Sequence, residues 1–346
     1  MIVVRRLTIK DVARAAGVHP ATASRALNPR LPGRISAETT ARVERAAADL
    51  GYVVDPVGRS LRTRRSSTIG VLVPDLLNPF YPPVLRGIEH QLRADGFEAL
   101  IASTDNESAR EAELVEVFRS RRCEGYIVAT ATQDDAVVAA MMREHVPVVL
   151  VNRLTGVPAP AVVSDDAAGV GEAVAHLRGL GHVAIGHITG PAEISVTSSR
   201  AAAYRAAMAG TGVPARDEWV ERADQLTAAA GREACLALLA RAPVTAILAG
   251  NDMVAVGCYA AFDSAGLRCP ADISLVGIND MPLAGWMRPA LTTVAIPQEE
   301  LGMRAARLIV ERIDDPRGPV RVVSLPTTLI VRSSTGRSEA GLDLGP

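Results

Sequence analysis

Residues 8–28 read TIKDVARAAGVHPATASRALN. Ile9, Val12, Ala13 and Ala16 recur at helical spacing, Gly17 interrupts, and Ala23, Ala26 and Leu27 resume the pattern. That order gives a helix, a tight turn and a second helix. Thr8 stands where an N-cap hydroxyl belongs, with Asp11 at the acidic position of a capping box. The second helix begins at Pro20, because the missing proline N–H costs nothing at the first helical position, and His19 becomes its cap. A third helix, roughly Ala37 to Leu50, follows Ser36 as N-cap and stops at Gly51. Three short helices of this kind make one compact module. Its second helix opens on Pro20 and Ala21, which offer a DNA base only shape and apolar contact, for instance with a thymine methyl.

The charge around this module is lopsided. Residues 1–66 hold thirteen Arg or Lys against five acids, a net +8, so with −1 overall the other 280 residues carry about −9. A basic head on an acidic body points to an anionic partner for the head alone, since clustered cations release counterions from phosphates. The segment after the third helix, GYVVDPVGRSLRTRRSST, has Asp55 and Pro56 as a second cap signal and permits a short helix from Pro56 to about Leu61. Gly58 and the short length leave that helix unstable unless something holds it. It reads as a hinge that folds on binding, or as a plain basic linker.

The body follows a different rhythm. TIGVLVP (68–74), EALIAST (98–104), YIVAT (126–130), VPVVLVN (146–152) and AVVS (161–164) read as buried strands, with helices near 81–95, 107–121 and 134–144. A second set follows: VAIGHIT (183–189), AILAG (246–250) and ISLVGIN (273–279), with helices near 166–180, 197–210, 228–240 and 252–265. LTTV (291–294), a helix near 298–312 and the paired runs VRVVSL and TTLIVR close the chain. Such alternation predicts parallel sheets covered on both faces, arranged as two α/β lobes. Ligands of such sheets sit beyond the carboxyl ends of the strands, so two facing lobes create a cleft there.

The run TIKDVARAAGV, ATASRALN, GY, RSLRT and TIGVLVPDLLNPF, in that order, closely resembles the LacI/GalR family of bacterial transcription regulators, and the resemblance extends over about residues 7–334. It implies an α/β protein with a helix-turn-helix DNA-binding head at 1–54, a hinge at 55–66, and a two-lobed core of type I periplasmic-binding-protein architecture at 67–340. The chain would cross three times between lobe one (67–163 and 297–325) and lobe two (164–296 and 326–340). Double-stranded DNA with a pseudo-palindromic operator, a carbohydrate-like effector and a second copy of the chain are the implied partners.

Candidate residues follow from the motifs. In the head, Arg25 is the leading base reader, since arginine pairs bidentately with guanine. Thr8, Thr22, Ser24 and Asn28 suit phosphate contacts and register, with His19 as a further contributor. By resemblance, Leu61 is the wedge that enters the minor groove at the operator centre; packing the linker onto the body is its other possible role. In the core, Asn78 and Phe80 follow the first strand and contribute to the effector cleft by resemblance. Arg200 matches the family arginine that grips hydroxyls or an acidic group. Leu226 falls where the family often has an aromatic wall. Asn251 and Asn279 sit at strand exits, where helix capping is the competing role. Many sugar-binding members carry two consecutive acids where Asn279-Asp280 stand, so one charged hydroxyl acceptor is missing.

Other classes find little support. The sequence has no nucleophile elbow, P-loop or H-E-x-x-H, and GVG at 169–171 lacks the third glycine and the preceding strand of a dinucleotide loop. No catalytic residue, cofactor or metal site is expected: the four cysteines form no C-x-x-C pair, and His176 and His182 frame a helix end. With no apolar run of membrane-span length and no secretory h-region, the protein is expected in the cytoplasm. The tail SSTGRSEAGLDLGP has no leucine heptad, which favours a dimer over a tetramer.

Overall fold

A computed structural model describes residues 7–27, 35–52 and 66–338. In the head, α1 (Ile9–Ala15), α2 (Pro20–Ala26) and α3 (Ala37–Asp49) enclose a small core of Val12, Ala13, Ala16, Ala23, Val43 and Ala47. The expected caps form: Ser36 accepts from the Thr39 N–H at 3.3 Å, and the Thr8 N–H and hydroxyl both donate to the Asp11 carboxylate, at 2.9 and 2.7 Å. Gly17 and Gly51 follow α1 and α3 with φ of 63° and 64°, the left-handed conformation that ends a helix cheaply only at glycine.

The body contains two six-stranded sheets. The first is built from β1 (Thr68–Val73), β2 (Glu98–Ser103), β3 (Gly125–Val128), β4 (Val148–Val151), β5 (Ala161–Ser164) and β11 (Val322–Leu325), in the order β11-β5-β4-β3-β1-β2, with every neighbouring pair parallel. The second holds β6 (Ile185–Thr189), β7 (Val220–Arg222), β8 (Ala246–Ala249), β9 (Ser274–Asn279), β10 (Thr292–Ala295) and β12 (Thr328–Ile330), ordered β12-β10-β9-β8-β6-β7. Only the β10–β12 pair in this sheet is antiparallel.

The chain therefore passes between sheets after β5, β10 and β11. One expectation is corrected here: VRVVSL and TTLIVR do not pair with each other. Pro326 and Thr327 separate β11 from β12, the Thr327 hydroxyl donates to the Asp165 carbonyl at 3.1 Å, and each strand completes the edge of a different sheet. The three-residue edge strand β7 was not anticipated, because VER carries no apolar alternation.

Helices α4 (Tyr81–Ala94), α5 (Ser108–Ser120), α6 (Ala136–Arg143) and α11 (Gln298–Asp314) accompany the first sheet, and α7 (Asp166–Gly179), α8 (Ser195–Gly210), α9 (Ala228–Arg241) and α10 (Asp252–Ala265) the second. Glycines fix the closest helix contacts. A Cβ on Gly87 of α4 would collide with the Glu299 carbonyl of α11, and one on Gly302 with the Val84 carbonyl, so α4 and α11 touch backbone to backbone. Gly169, part of the GVG triplet, lies inside α7 against Val294 and Thr327, which gives that triplet a packing role. No helix of the described residues is long and apolar enough to cross a membrane.

Candidate functional site

In the head, His19 caps α2 by accepting the Ala21 N–H on Nδ1 at 3.2 Å. An acceptor at Nδ1 selects the neutral tautomer with its proton on Nε2, and that donor belongs to an exposed side chain. Ala23 turns into the core, whereas Ala21 and Arg25, four residues apart and on one face of α2, are exposed. Thr22 and Ser24 are half-buried beside them, and the Thr8 hydroxyl is engaged by Asp11. Asn28 and Leu61, and most of the expected hinge, lie outside the described residues.

In the body, the carboxyl ends of both sheets open onto one cleft of about 440 Å³. Pro74, Thr104, Thr130 and Asn152 follow β1, β2, β3 and β4 on one side, and Pro191, Asp224, Asn251 and Asn279 lie at the ends of β6, β7, β8 and β9 on the other. This placement is what the parallel topology dictates. Asn78, Phe80, Arg200, Leu226, Asn251 and Asn279 all line this cleft.

Their local roles differ. Asn78 Oδ1 accepts from the Phe80 N–H at 3.1 Å, turning the chain from β1 into α4, and Phe80 meets Tyr81 edge to face at 5.1 Å between centroids. Asn251 spends its amide on structure, accepting from Val254 N–H at 2.8 Å and donating to the Leu226 carbonyl at 3.4 Å. At that position the capping role is the one seen. Next to it, buried Asp252 accepts from the Met281 N–H at 2.7 Å and the Thr293 hydroxyl at 2.6 Å, tying β9 and β10 to α10. Burial pushes its carboxyl up to about 6 despite those two bonds.

Arg200 is buried, with Nε donating to Asp166 Oδ1 at 3.0 Å and Nη1 to the Gly250 carbonyl at 2.8 Å. Its charge is thus met by Asp166. Asn279 has φ of 128° and Asn152 φ of 68°, one at the exit of each sheet. Asparagine is among the few residues that tolerate this region, where the backbone can turn its side chain into a cleft.

A polar group from the first sheet escaped the sequence reading. Glu111 is buried on α5, accepts the Thr130 hydroxyl at 2.8 Å, and is pushed up to about 7 by burial and then by the nearby Asp135 charge, against the opposing pull of Thr130 and Arg153. Arg153 donates from Nη1 to the Thr130 carbonyl at 3.1 Å, yet its Nε and the Asn152 Oδ1 are buried without a hydrogen-bond partner. Both residues line the cleft, as do Tyr81 and Glu111. Two signals were available: NR directly follows the apolar run VVLV, and Glu111 shares a helical stripe with buried Val115 and Phe118. The histidines do other work. His176 meets the Thr335 hydroxyl at 2.9 Å, and His182 meets the Thr245 hydroxyl at 2.9 Å and the Gly336 carbonyl at 3.0 Å, which docks the C-terminal segment.

Comparison with known proteins now places this geometry. Residues 8–55 match the family described as bacterial regulatory proteins, lacI family, and residues 174–335 match the periplasmic binding protein-like domain. The HTH-type transcriptional regulator DegA of Bacillus subtilis is 33% identical over 334 residues, 95% of this chain and 98% of DegA. The chain belongs to the LacI family. Among solved LacI-family structures, the lac repressor dimer bound to operator and the anti-inducer ONPF superposes with a TM-score of 0.82 at 25% identity, over 96% of this chain and 100% of that one. The complex of the transcriptional regulator CelR with cellobiose gives 0.74 at 28% identity, over 95% and 100%. The fold expectation, a helix-turn-helix head on a two-sheet periplasmic-binding-protein-like core, holds for this LacI-family chain.

Proposed function

We propose that this chain is a DNA-binding transcriptional repressor whose operator affinity is set by a small carbohydrate-like effector in the cleft, and that it is not an enzyme. The observation that carries this reading is the joining, in one chain, of an exposed α2 face bearing Arg25 to a cleft lined from both sheets. As a homodimer, two heads would place α2 in successive major grooves of a pseudo-palindromic operator. Arg25 reads guanine, His19 donates from Nε2, Thr8, Thr22, Ser24 and Asn28 set the register on phosphates, and Leu61 wedges the operator centre. The expected division into a head at 1–54, a hinge at 55–66 and a core at 67–340 belongs to the same proposal.

Effector control follows from the cleft's position between sheets that the chain joins by three crossings. A ligand touching both sides favours one relative arrangement of the lobes, and it can shift DNA affinity only by its difference in affinity for the two states. The test is selection of duplexes from a randomised pool by the full chain at low salt. A two-fold symmetric consensus is expected; recovery of unselected sequence would refute the reading. Light scattering should return two chains, and four would refute the dimer.

A further inference from the structure

Two acids and one arginine share a buried corner beside the cleft on the first sheet. Glu111 on α5, Asp135 at the cap of α6 and Arg153 after β4 are only 5%, 7% and 7% exposed. Glu111 and Arg153 meet at Thr130, whose hydroxyl donates to Glu111 Oε1 at 2.8 Å and whose carbonyl accepts from Arg153 Nη1 at 3.1 Å. Asp135 Oδ1 accepts the Val138 N–H at 2.8 Å, while Asp135 Oδ2 and Arg153 Nε are buried without a partner. Among the described residues Arg153 hydrogen-bonds to neither acid. With both acids ionised the corner carries one surplus negative charge, and burial makes such a charge costly. A single proton makes the corner neutral.

Glu111 is where that proton belongs. Burial first, and then the Asp135 charge, push its carboxyl up to about 7 against the pull of Thr130 and Arg153. Glu111 lines the cleft and its Oε1 is taken by Thr130, so the proton sits on Oε2, the oxygen left for a ligand. The other charges facing this corner are mostly negative. Glu107 at the start of α5 and Glu193 from the second lobe line the same cleft, and the Glu193 carbonyl accepts the Gln133 N–H at 2.9 Å. Tyr81 of α4 faces Arg153, with its phenol pushed up by burial, and Arg200 has Asp166 as its counter-charge. No histidine is among the described residues that line the cleft. A ligand that fills the cleft replaces the water beside Glu111, which favours the neutral acid further.

We propose that Glu111 meets the cleft ligand as a carboxylic acid that donates its O–H, so that ligand binding is linked to a proton on Glu111 and is tighter in mildly acidic than in mildly alkaline solution. This rests on the reading of the cleft as the effector site. It adds a regulatory input to that site: at a fixed ligand concentration, a rise in pH empties the cleft. The proton acts through one side chain of the first sheet, with Asp135 and Arg153 setting the charge balance behind it.

The test uses the full chain in thermal shift and equilibrium dialysis against the neutral sugars ribose, glucose and cellobiose at pH 6 and pH 8. The expected result is a sugar that binds about fivefold more weakly at pH 8. Glu111→Gln carries a permanent N–H donor in place of the O–H and should bind that sugar equally at both pH values. Equal affinity of the parent at pH 6 and pH 8 overturns the proposal. So does a variant that keeps the parent's slope, which would move the proton to Asp252, the other carboxyl that burial raises, to about 6. Titration calorimetry of the parent in buffers of different ionisation enthalpy gives a second measurement that no folding defect can disturb. At pH 7.5 the binding should take up about half a proton, and no uptake contradicts the linkage. A chain that binds a sugar without pH dependence loses this inference alone, whereas one that binds none of the three loses the effector reading and this inference with it.

Discussion

Arg200 of α8 and Asp166 of α7 meet at 3.0 Å, with side chains only 3% and 7% exposed, directly beneath the cleft. The pair joins two neighbouring helices of the second sheet at the point where a ligand would press on both. Removing one member of such a pair leaves a buried charge without compensation.

Arg200→Ala should therefore destabilise the chain by about 3–5 kcal/mol, measured by urea unfolding. Asp166→Asn keeps a hydrogen-bond acceptor but leaves the Arg200 guanidinium, which cannot shed its proton, without a counter-charge, and should cost a comparable amount. A loss below about 1 kcal/mol for Arg200→Ala would mean that the buried ion pair does not form.

Arg25 is exposed on α2 beside Ala21, which cannot read a base by hydrogen bonding. Arg25→Ala should weaken binding to the selected operator by about 1–3 kcal/mol and relax selectivity at one base pair in each half-site. Equal weakening on every sequence would reassign Arg25 to the phosphates.

Glu111 gives a pH prediction. Its folded carboxyl titrates at about 7 against an ordinary 4.5, so the folded chain retains a proton that the unfolded chain releases between those values. Its contribution to stability is fully present below 4.5 and is lost as pH rises through 7. Glu111→Gln removes that loss. The variant's stability relative to the parent should rise from pH 5 to pH 8 by up to about 3 kcal/mol; the same difference at both pH values would contradict the burial of this carboxyl.

Gly302 sits against the Val84 carbonyl, and backbone cannot retreat as a side chain can. Gly302→Ala should cost about 1–3 kcal/mol through forced separation of α4 and α11. Gly171, which has nothing within 4 Å of a built Cβ, is the control: Gly171→Ala in α7 should be neutral or stabilising in the same melt.

Local chemistry explains what could be read in the sequence. The head was legible because Thr8, Gly17, His19-Pro20 and Ser36 each act on their own neighbours. The sheets were legible because a strand buried on both faces must be apolar throughout, as β3, β4 and β8 are. Which sheet receives β11 and which β12 was legible only through the family resemblance and not from local pattern, since two residues separate them and β11 pairs with β5, more than a hundred residues before it, while β12 pairs with the much nearer β10. The site divides the same way. Strand exits located Asn78, Asn251 and Asn279, but the sequence could not show that Asn251 spends its amide on Val254 and Leu226, or that Asp166 neutralises Arg200. Asn152 and Arg153 obeyed the strand-exit rule and were passed over, and Glu111 marked itself only as an acid on an apolar helical stripe.

Coupling between cleft and DNA is the centre of this account, and operator affinity measured with and without ligand tests it most directly. Fluorescence anisotropy of the selected duplex should be titrated with the full chain, first alone and then at a saturating concentration of the neutral sugar that stabilises it. A coupling of about 1–3 kcal/mol, a change of roughly 5- to 150-fold in Kd in either direction, is the predicted result. Identical affinity with the cleft empty and saturated would contradict it.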